Sequence, residues 1–278
     1  MSNKSSFNWS RWSKTSCAVL IGACLLDPGM ASSIIAAPTT TTGQKDYTPP
    51  SDTRPPRGLF IPGGRRQGCR GVLHNGLTAI APQTQVVPTF SIQPTLTWFV
   101  GDNAPYDITL QLYEYTGDQW VALKDVDLGP SQQGYSSYLL PDTTRLTVGG
   151  LYRWDIVMLC DPARPSRNIV NVAYFEVVRP PAGLEQSADT LLAQAQEYAT
   201  AGFWYEAIAL LTSAQPTPAA IDYRNALLRD LAEAEVIAAS FVTATAESEV
   251  KASAIREAAT ALSAQFLFIA NQDRAHEN

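Results

Sequence analysis

Few side chains in this sequence have the types and spacing that catalysis requires. Its two histidines, His74 and His276, are not tied by spacing to a serine or cysteine that either could activate. No HExxH, GxSxG, GxGxxG or P-loop motif occurs. Asp125 and Asp127 project from one face of a predicted strand, where they could hold a calcium ion or act as a glycosidase pair. A solvent-facing strand explains them more simply, so we predict no catalytic residue, no metal site and no cofactor.

The four cysteines indicate a disulfide rather than a metal centre. Cys17 and Cys24 lie close to the first residue, whereas Cys69 and Cys160 lie far along the chain. The latter pair lacks the CxxC spacing of zinc sites, and an oxidising compartment favours its oxidation to a disulfide. A catalytic thiol is the remaining alternative. A disulfide that closes a loop of roughly 90 residues contributes about 4–5 kcal/mol in the chain-entropy model.

Residues 1–36 have the three parts of a secretory signal peptide. A basic start is followed by an apolar run over residues 16–26 and then by small residues up to Ala36. The apolar run is too short to span a bilayer, and no later segment is long enough to do so. We therefore predict cleavage near Ala36 and export to the periplasm or cell envelope. An uncleaved membrane anchor is one alternative, and a lipoprotein modified at Cys24, in the segment IGAC, is another.

Residues 37–66 are rich in threonine, proline and glycine and show no apolar period, which predicts a disordered linker. Arg65, Arg66 and Arg70 belong to a basic cluster near its end. These arginines could contact an acidic polymer or a membrane surface, although a soluble tether explains them more simply. The whole chain has a formal net charge of −6, which argues against nonspecific binding to nucleic acid.

Residues 67–181 alternate between apolar and polar side chains, which is typical of half-buried strands. The segments TLTWFV, YDITLQLYEY and LYRWDIVMLC each place their apolar residues on one face, with Arg153 and Asp155 opposite in the last of them. An L-x-x-G-x-x-Y motif that ends at Tyr152 resembles the tyrosine corner of immunoglobulin and fibronectin type III folds. We predict a β-sandwich of that type over this range.

Residues 182–278 change to an apolar period of about 3.6, which predicts an all-α region. The segment AGFWYEAIALL places Gly202 where one helix ends and the next begins, and it resembles a single tetratricopeptide-type hairpin. Two further apolar stripes, which start near Ala220 and Ile255, predict helices that cover this hairpin. The prediction for the whole chain is a multidomain α+β protein, in which the alanine-rich tail after Ser240 has no assigned role.

Five segments together resemble the cyanobacterial family called domain of unknown function 928. They are GRRQGCRG, LTAIAP, PTLTWFV, VGGLYRWDIVMLCDP and AGFWYEAIALL, and their order and spacing resemble that family over roughly residues 63–235. The resemblance implies an exported, envelope-associated protein and implies no activity. The chain departs from the family pattern after about Ser240.

These features favour a non-catalytic module that binds an envelope protein or a glycan. The candidate surface consists of aromatic and basic side chains, namely Trp120, Phe203, Tyr205, Arg65, Arg66 and Arg70. Packing in the core explains these rings more simply, and they form a candidate surface if that explanation fails. Two other functions stay open: a carbohydrate-active hydrolase that uses unrecognised acidic residues, and a purely structural envelope component.

Overall fold

The computed structural model describes residues 46–47, 49–50, 69, 76–101, 105–184, 189–213, 215–244, 246 and 248–275. These residues belong to a compact unit that extends from Gly43 to Asn278. The predicted signal peptide, including Cys24 and Ala36, lies outside the described residues, as do Arg65, Arg66, Arg70 and both histidines.

The described residues form a mixed α+β structure with two sheets and a C-terminal helical region. The strands are β1 (Thr78–Ala79), β2 (Val86–Thr89), β3 (Thr95–Val100), β4 (Asp107–Thr116), β5 (Gln119–Pro130), β6 (Gly134–Leu139), β7 (Leu151–Met158) and β8 (Ile169–Val177). The helices are α1 (Leu191–Thr200), α2 (Trp204–Leu211), α3 (Pro218–Ala244) and α4 (Glu249–Ala275).

Strand order divides the β region into a sheet of three strands and a sheet of five. The smaller sheet has the order β1-β3-β6, and the larger one has the order β2-β8-β7-β4-β5. Only β2 and β8 pair in parallel among the described strands. The predicted alternation is confirmed: Ile108, Leu110 and Leu112 of β4 are buried in the core, whereas the residues between them are partly exposed.

The turn before β7 is closed by the tyrosine that the L-x-x-G-x-x-Y motif singled out. The Tyr152 hydroxyl accepts a hydrogen bond from the Thr147 backbone nitrogen at 2.9 Å and donates one to Glu114 at 3.2 Å. A Cβ atom at Gly150 would lie only 2.5 Å from that hydroxyl, so the ring needs a glycine beneath it. The motif therefore predicted a real tertiary contact.

The described part of the helical region contains four helices, and the turn between α1 and α2 lies at Gly202, as the sequence predicts. Thr190 caps α1, because its hydroxyl accepts a hydrogen bond from the Ala193 backbone nitrogen at 3.1 Å. Gly202 lies between α1 and α2 with φ of +84°, a conformation that glycine adopts at little cost. The two long helices α3 and α4 pack against each other through small and apolar side chains, including Ala239 and Ile255. Among the described residues, no helix combines the length and apolarity needed to cross a bilayer.

One hydrophobic core joins the two sheets to the helices. The Trp204 indole nitrogen of α2 donates to the Ile80 backbone oxygen at 2.9 Å, and the Trp154 indole nitrogen of β7 donates to the Tyr205 hydroxyl at 3.0 Å. Buried side chains of both sheets and of all four helices belong to the same cluster. The core is therefore continuous across the predicted boundary between residues 181 and 182.

Two contacts tie the chain that precedes β1 to this core. Cys69 and Cys160 form a disulfide with their Cα atoms 4.5 Å apart, which confirms the predicted pairing. Tyr47 is only 1% exposed, although it lies inside the predicted disordered linker 37–66. A single buried ring produces no periodic pattern, and for that reason the sequence prediction missed it. The prediction of a fully solvated linker over residues 37–66 is therefore wrong at Tyr47.

Candidate functional site

The five-stranded sheet has a second face that points away from the common core. Strand alternation places Leu112, Trp154 and Phe175 in the core, so their neighbours in sequence face outward. The register of strand pairing then places these outward-facing side chains next to one another across the sheet. We call this set the outer face, and it consists of Gln111, Tyr113, Tyr115, Trp120, Asp125, Arg153, Asp155, Val172 and Tyr174.

A buried ion pair lies at the centre of the outer face. Arg153 and Asp155 are two residues apart on β7, so their side chains leave the same side of the sheet. The Arg153 guanidinium meets both carboxylate oxygens, with Nε to Oδ1 at 2.9 Å and Nη2 to Oδ2 at 3.0 Å. Both side chains are mostly buried, with 16% and 10% of their surface exposed. The two-point contact fixes the orientation of the guanidinium plane.

Aromatic rings surround this guanidinium. Its central carbon lies 4.2 Å from the centroid of the Tyr113 ring and 5.6 Å from the centroid of the Trp120 ring. Trp120 also contacts Tyr115 at 5.1 Å and Tyr174 at 5.7 Å between ring centroids. The result is an aromatic cluster of three partly exposed rings and the fully buried Tyr174 ring, with a fixed cation among them.

A tight hairpin turn positions two of these rings. β4 and β5 are joined through Gly117 and Asp118, which both have positive φ angles, 59° and 66°. Such a two-residue turn matches the twist of paired strands and sets their register. Tyr115 consequently stands directly opposite Trp120. The sequence Gly-Asp at this turn therefore determines which rings meet.

Polar groups extend the outer face toward β5. The Tyr113 hydroxyl donates to the Gln111 side-chain oxygen at 3.0 Å, and the Gln111 amide nitrogen donates to Asp125 at 3.4 Å. Burial raises the pKa of Asp155 to about 6, and the neighbouring Arg153 opposes that rise. Burial and the charge of Asp155 also raise the pKa of Tyr113. The outer face therefore combines carboxyl groups, an amide, a phenol and a guanidinium with its rings.

The predicted surface residues separate into three groups. Trp120 lies on the outer face. Phe203 and Tyr205 are 5% and 3% exposed and lie in the core, where their rings contact Phe90 and Phe175 at centroid distances of 5.1 and 5.4 Å. Both rings leave the start of α2 toward the sheets, so this helix contributes no aromatic surface there. The three arginines lie outside the described residues.

Most of the outer face was not singled out from the sequence. The sequence correctly predicts that Arg153 and Asp155 lie opposite the buried residues of β7. It does not distinguish them from ordinary polar residues of a strand. Tyr113 and Tyr174 carried no local signal, because their meeting with Arg153 depends on the register of three different strands. The one local indication of the site was that Arg153 and Asp155 flank the buried Trp154 on the same strand.

The two carboxylates of the predicted pair on β5 each accept a hydrogen bond. Asp125 accepts the hydrogen bond from Gln111, and Asp127 accepts one from the Gly129 backbone nitrogen at 3.0 Å. Among the described residues there is no group of three or more His, Cys, Asp or Glu side chains arranged to hold a metal ion.

The fold and the outer face define a disulfide-linked, mixed α+β protein with two sheets and a C-terminal helical region. The chain matches over residues 61–239 the family model described as Domain of Unknown Function (DUF928), and it belongs to that family. This confirms the resemblance seen in the five sequence segments. No curated protein matches the chain. The family match ends within α3, so α4 lies beyond it.

Proposed function

We propose that the protein is an exported, non-catalytic binding module that holds a glycan on its outer face. The observation that carries this proposal is the aromatic cluster around Arg153, flanked by Gln111 and Asp125. The C–H faces of a sugar ring pack on aromatic rings, and its hydroxyls form hydrogen bonds with carboxylate, amide and guanidinium groups. A face that offers both kinds of contact suits an oligosaccharide better than a purely apolar partner.

The geometry of Asp155 supports binding over hydrolysis. A glycosidase needs one carboxyl group that donates a proton and another that attacks or activates water. Both oxygens of Asp155 contact Arg153, so this carboxylate is occupied by an internal partner. The ion pair instead supports a role in keeping the rings and the guanidinium in a fixed arrangement, which reduces the entropy lost on binding.

The finer description of the fold is also part of this proposal. An immunoglobulin-like sandwich is supported by the split into a β1-β3-β6 sheet and a β2-β8-β7-β4-β5 sheet, and by the hydrogen bond at Tyr152. A single tetratricopeptide-like hairpin is supported by α1 and α2, which pack closely around the turn at Gly202. Folds of both kinds host recognition surfaces, so this part of the support is an analogy.

Export to the periplasm or cell envelope is supported by the Cys69–Cys160 disulfide, because such bonds persist in oxidising compartments. The pattern of residues 1–36 adds sequence support, and cleavage near Ala36 is the proposed processing step.

Isothermal titration with neutral oligosaccharides tests the proposed function. The probes are cellohexaose and the hexamer of N-acetylglucosamine, with hexagalacturonate as an anionic comparison, because Asp125 lies exposed on the outer face. We expect saturable binding of a neutral probe and a loss of about tenfold, or 1.4 kcal/mol, on Trp120→Ala. Leu139→Ala is the matched control, since Leu139 is also apolar and exposed but lies on the other sheet.

The alternatives give different results in the same experiment. Release of reducing ends from a neutral probe would indicate a hydrolase. An affinity for the oligosaccharide that is unchanged in Trp120→Ala would show that the outer face is not the binding site. Absence of saturable binding to every probe would favour a purely structural envelope component.

A further inference from the structure

A short segment that precedes the sheets lies in a groove formed by the helices. Tyr47 is almost fully buried, and its ring meets the Trp204 ring edge-on with centroids 4.7 Å apart. Of the described residues 46–47 and 49–50, it is the one whose side chain belongs to the common core. The groove therefore encloses a single aromatic side chain of these described residues.

Helix α3 forms hydrogen bonds with the backbone of this segment. The Tyr47 backbone nitrogen donates to Asp230 at 2.9 Å, and the Tyr223 hydroxyl donates to the Asp46 backbone oxygen at 3.4 Å. Tyr223 and Asp230 are seven residues apart, which places them on one face of the helix. Contacts of this kind accept any extended backbone, so they select for shape rather than for sequence.

A proline contact completes the groove at the turn between α1 and α2. A Cβ atom at Gly202 would lie 2.6 Å from Pro50 Cγ, so the proline ring sits where any other residue would place a side chain. The positive φ of Gly202 lets the turn present this bare backbone. Tyrosine and, three residues later, proline are the two side chains that the groove recognises.

The pocket leaves the hydroxyl group of the bound tyrosine without a hydrogen-bond partner among the described residues. In the described structure the buried Tyr47 hydroxyl makes no hydrogen bond. Burial raises the pKa of Tyr47, and the charge of Glu235 and the hydroxyl of Tyr205 raise it further, so both groups are close to it. An unsatisfied buried hydroxyl costs free energy, and this cost weakens the grip of the groove on the segment.

We propose that this groove is a peptide-binding site for extended segments that carry tyrosine followed by proline, and that residues 46–47 and 49–50 occupy it as parts of an internal ligand. None of its described residues belongs to a helix or a strand, so this segment can leave without disrupting a regular element. A partner segment of the same chemistry binds when the internal one is displaced. The site is distinct from the outer face and independent of glycan binding.

A labelled peptide added to the full-length protein tests the proposal. The probe is a fluorescein-labelled peptide with the sequence of residues 44–53, and the protein is the Tyr47→Ala variant, which empties the aromatic pocket. We expect saturable binding by fluorescence polarisation and a higher melting temperature of the variant with the peptide. Wild type should bind at least tenfold more weakly, because the tethered segment competes at an effective concentration in the millimolar range. The control is the same peptide with tyrosine replaced by alanine, which should not bind.

Two results would overturn the proposal: a folded Tyr47→Ala variant that ignores the peptide, and equal binding by variant and wild type. Should the variant fail to fold, a protease site inserted between residues 51 and 68 of the wild type replaces it. After cleavage we expect the protein to keep its cooperative melting transition and to exchange the bound N-terminal fragment for labelled peptide. Unfolding on cleavage, or a fragment that never exchanges, would show that the segment is only a part of the core.

Discussion

Glu235 should make the stability of this protein fall as the pH rises toward neutrality. Its side chain is completely buried on α3, and its two oxygens accept hydrogen bonds from the backbone nitrogens of Gln83 at 2.7 Å and Thr84 at 3.1 Å. Burial raises its pKa from 4.5 to about 7, and the hydrogen bonds only partly oppose that rise. Between these two values the folded protein holds a proton that the unfolded chain releases.

The sign and size of the effect follow from this difference in pKa. A raised pKa in the folded state contributes stability that is fully present below about pH 4.5 and is lost as the pH rises through 7. At about 1.4 kcal/mol for each pH unit, the contribution of this group is about 3 kcal/mol. Glu235→Gln keeps the shape of the side chain and a neutral hydrogen-bond acceptor but cannot ionise. The variant should therefore lack the pH-dependent contribution of this residue to the unfolding free energy.

Urea unfolding at pH 5 and pH 8 measures the effect. We expect the Glu235→Gln variant to gain about 2.5 kcal/mol relative to wild type between the two pH values, since part of the contribution is already lost at pH 5. Asp155 contributes a change of the same sign in both proteins, so it cancels from the comparison. Glu233→Gln, on the same helix but exposed, is the matched control. A difference between Glu235→Gln and wild type that is the same at both pH values would refute the reasoning.

Three further substitutions test other contacts by urea unfolding. Cys69→Ser should lower the unfolding free energy by about 4–5 kcal/mol and leave its partner thiol open to titration, and an unchanged stability would count against the disulfide. Tyr152→Phe should cost about 1–3 kcal/mol, because the turn before β7 loses its acceptor, whereas a neutral result would mean that water replaces the hydroxyl. Gly202→Ala should cost more than Gly183→Ala, since both have φ near +85° but only the former meets Pro50. Equal losses of stability in the two variants would show that Gly202 does not contact Pro50 in this way.

Local patterns were enough to predict the elements and some of their contacts. Alternation identified β4 and β7, the apolar stripe from Ile255 identified α4, and the two cysteines that lie outside the predicted signal peptide identified the disulfide. The hydrogen bond at Tyr152 followed from a motif of seven residues. Each of these features depends on neighbours in sequence or on a choice with few alternatives.

The candidate site depended on information that a single sequence does not contain. Arg153 meets Tyr113 and Trp120 because three strands are paired in one particular register, and a shift by one residue would turn these side chains to the other face. Glu235 reads as an ordinary helical acid until the fold places backbone nitrogens against it. Tyr47 stands alone among polar and proline residues, so nothing near it indicates burial.

The outer face as a glycan site is tested most directly by an NMR titration. Four of the six tryptophans remain after the proposed cleavage near Ala36, and single substitutions assign the indole signals of Trp120, Trp154 and Trp204. With the neutral hexasaccharide that binds most tightly, we predict that the Trp120 indole and the Arg153 Nε–H shift progressively and saturate, while Trp154 and Trp204 in the core stay in place. Saturating shifts that leave Trp120 and Arg153 unmoved would contradict the account.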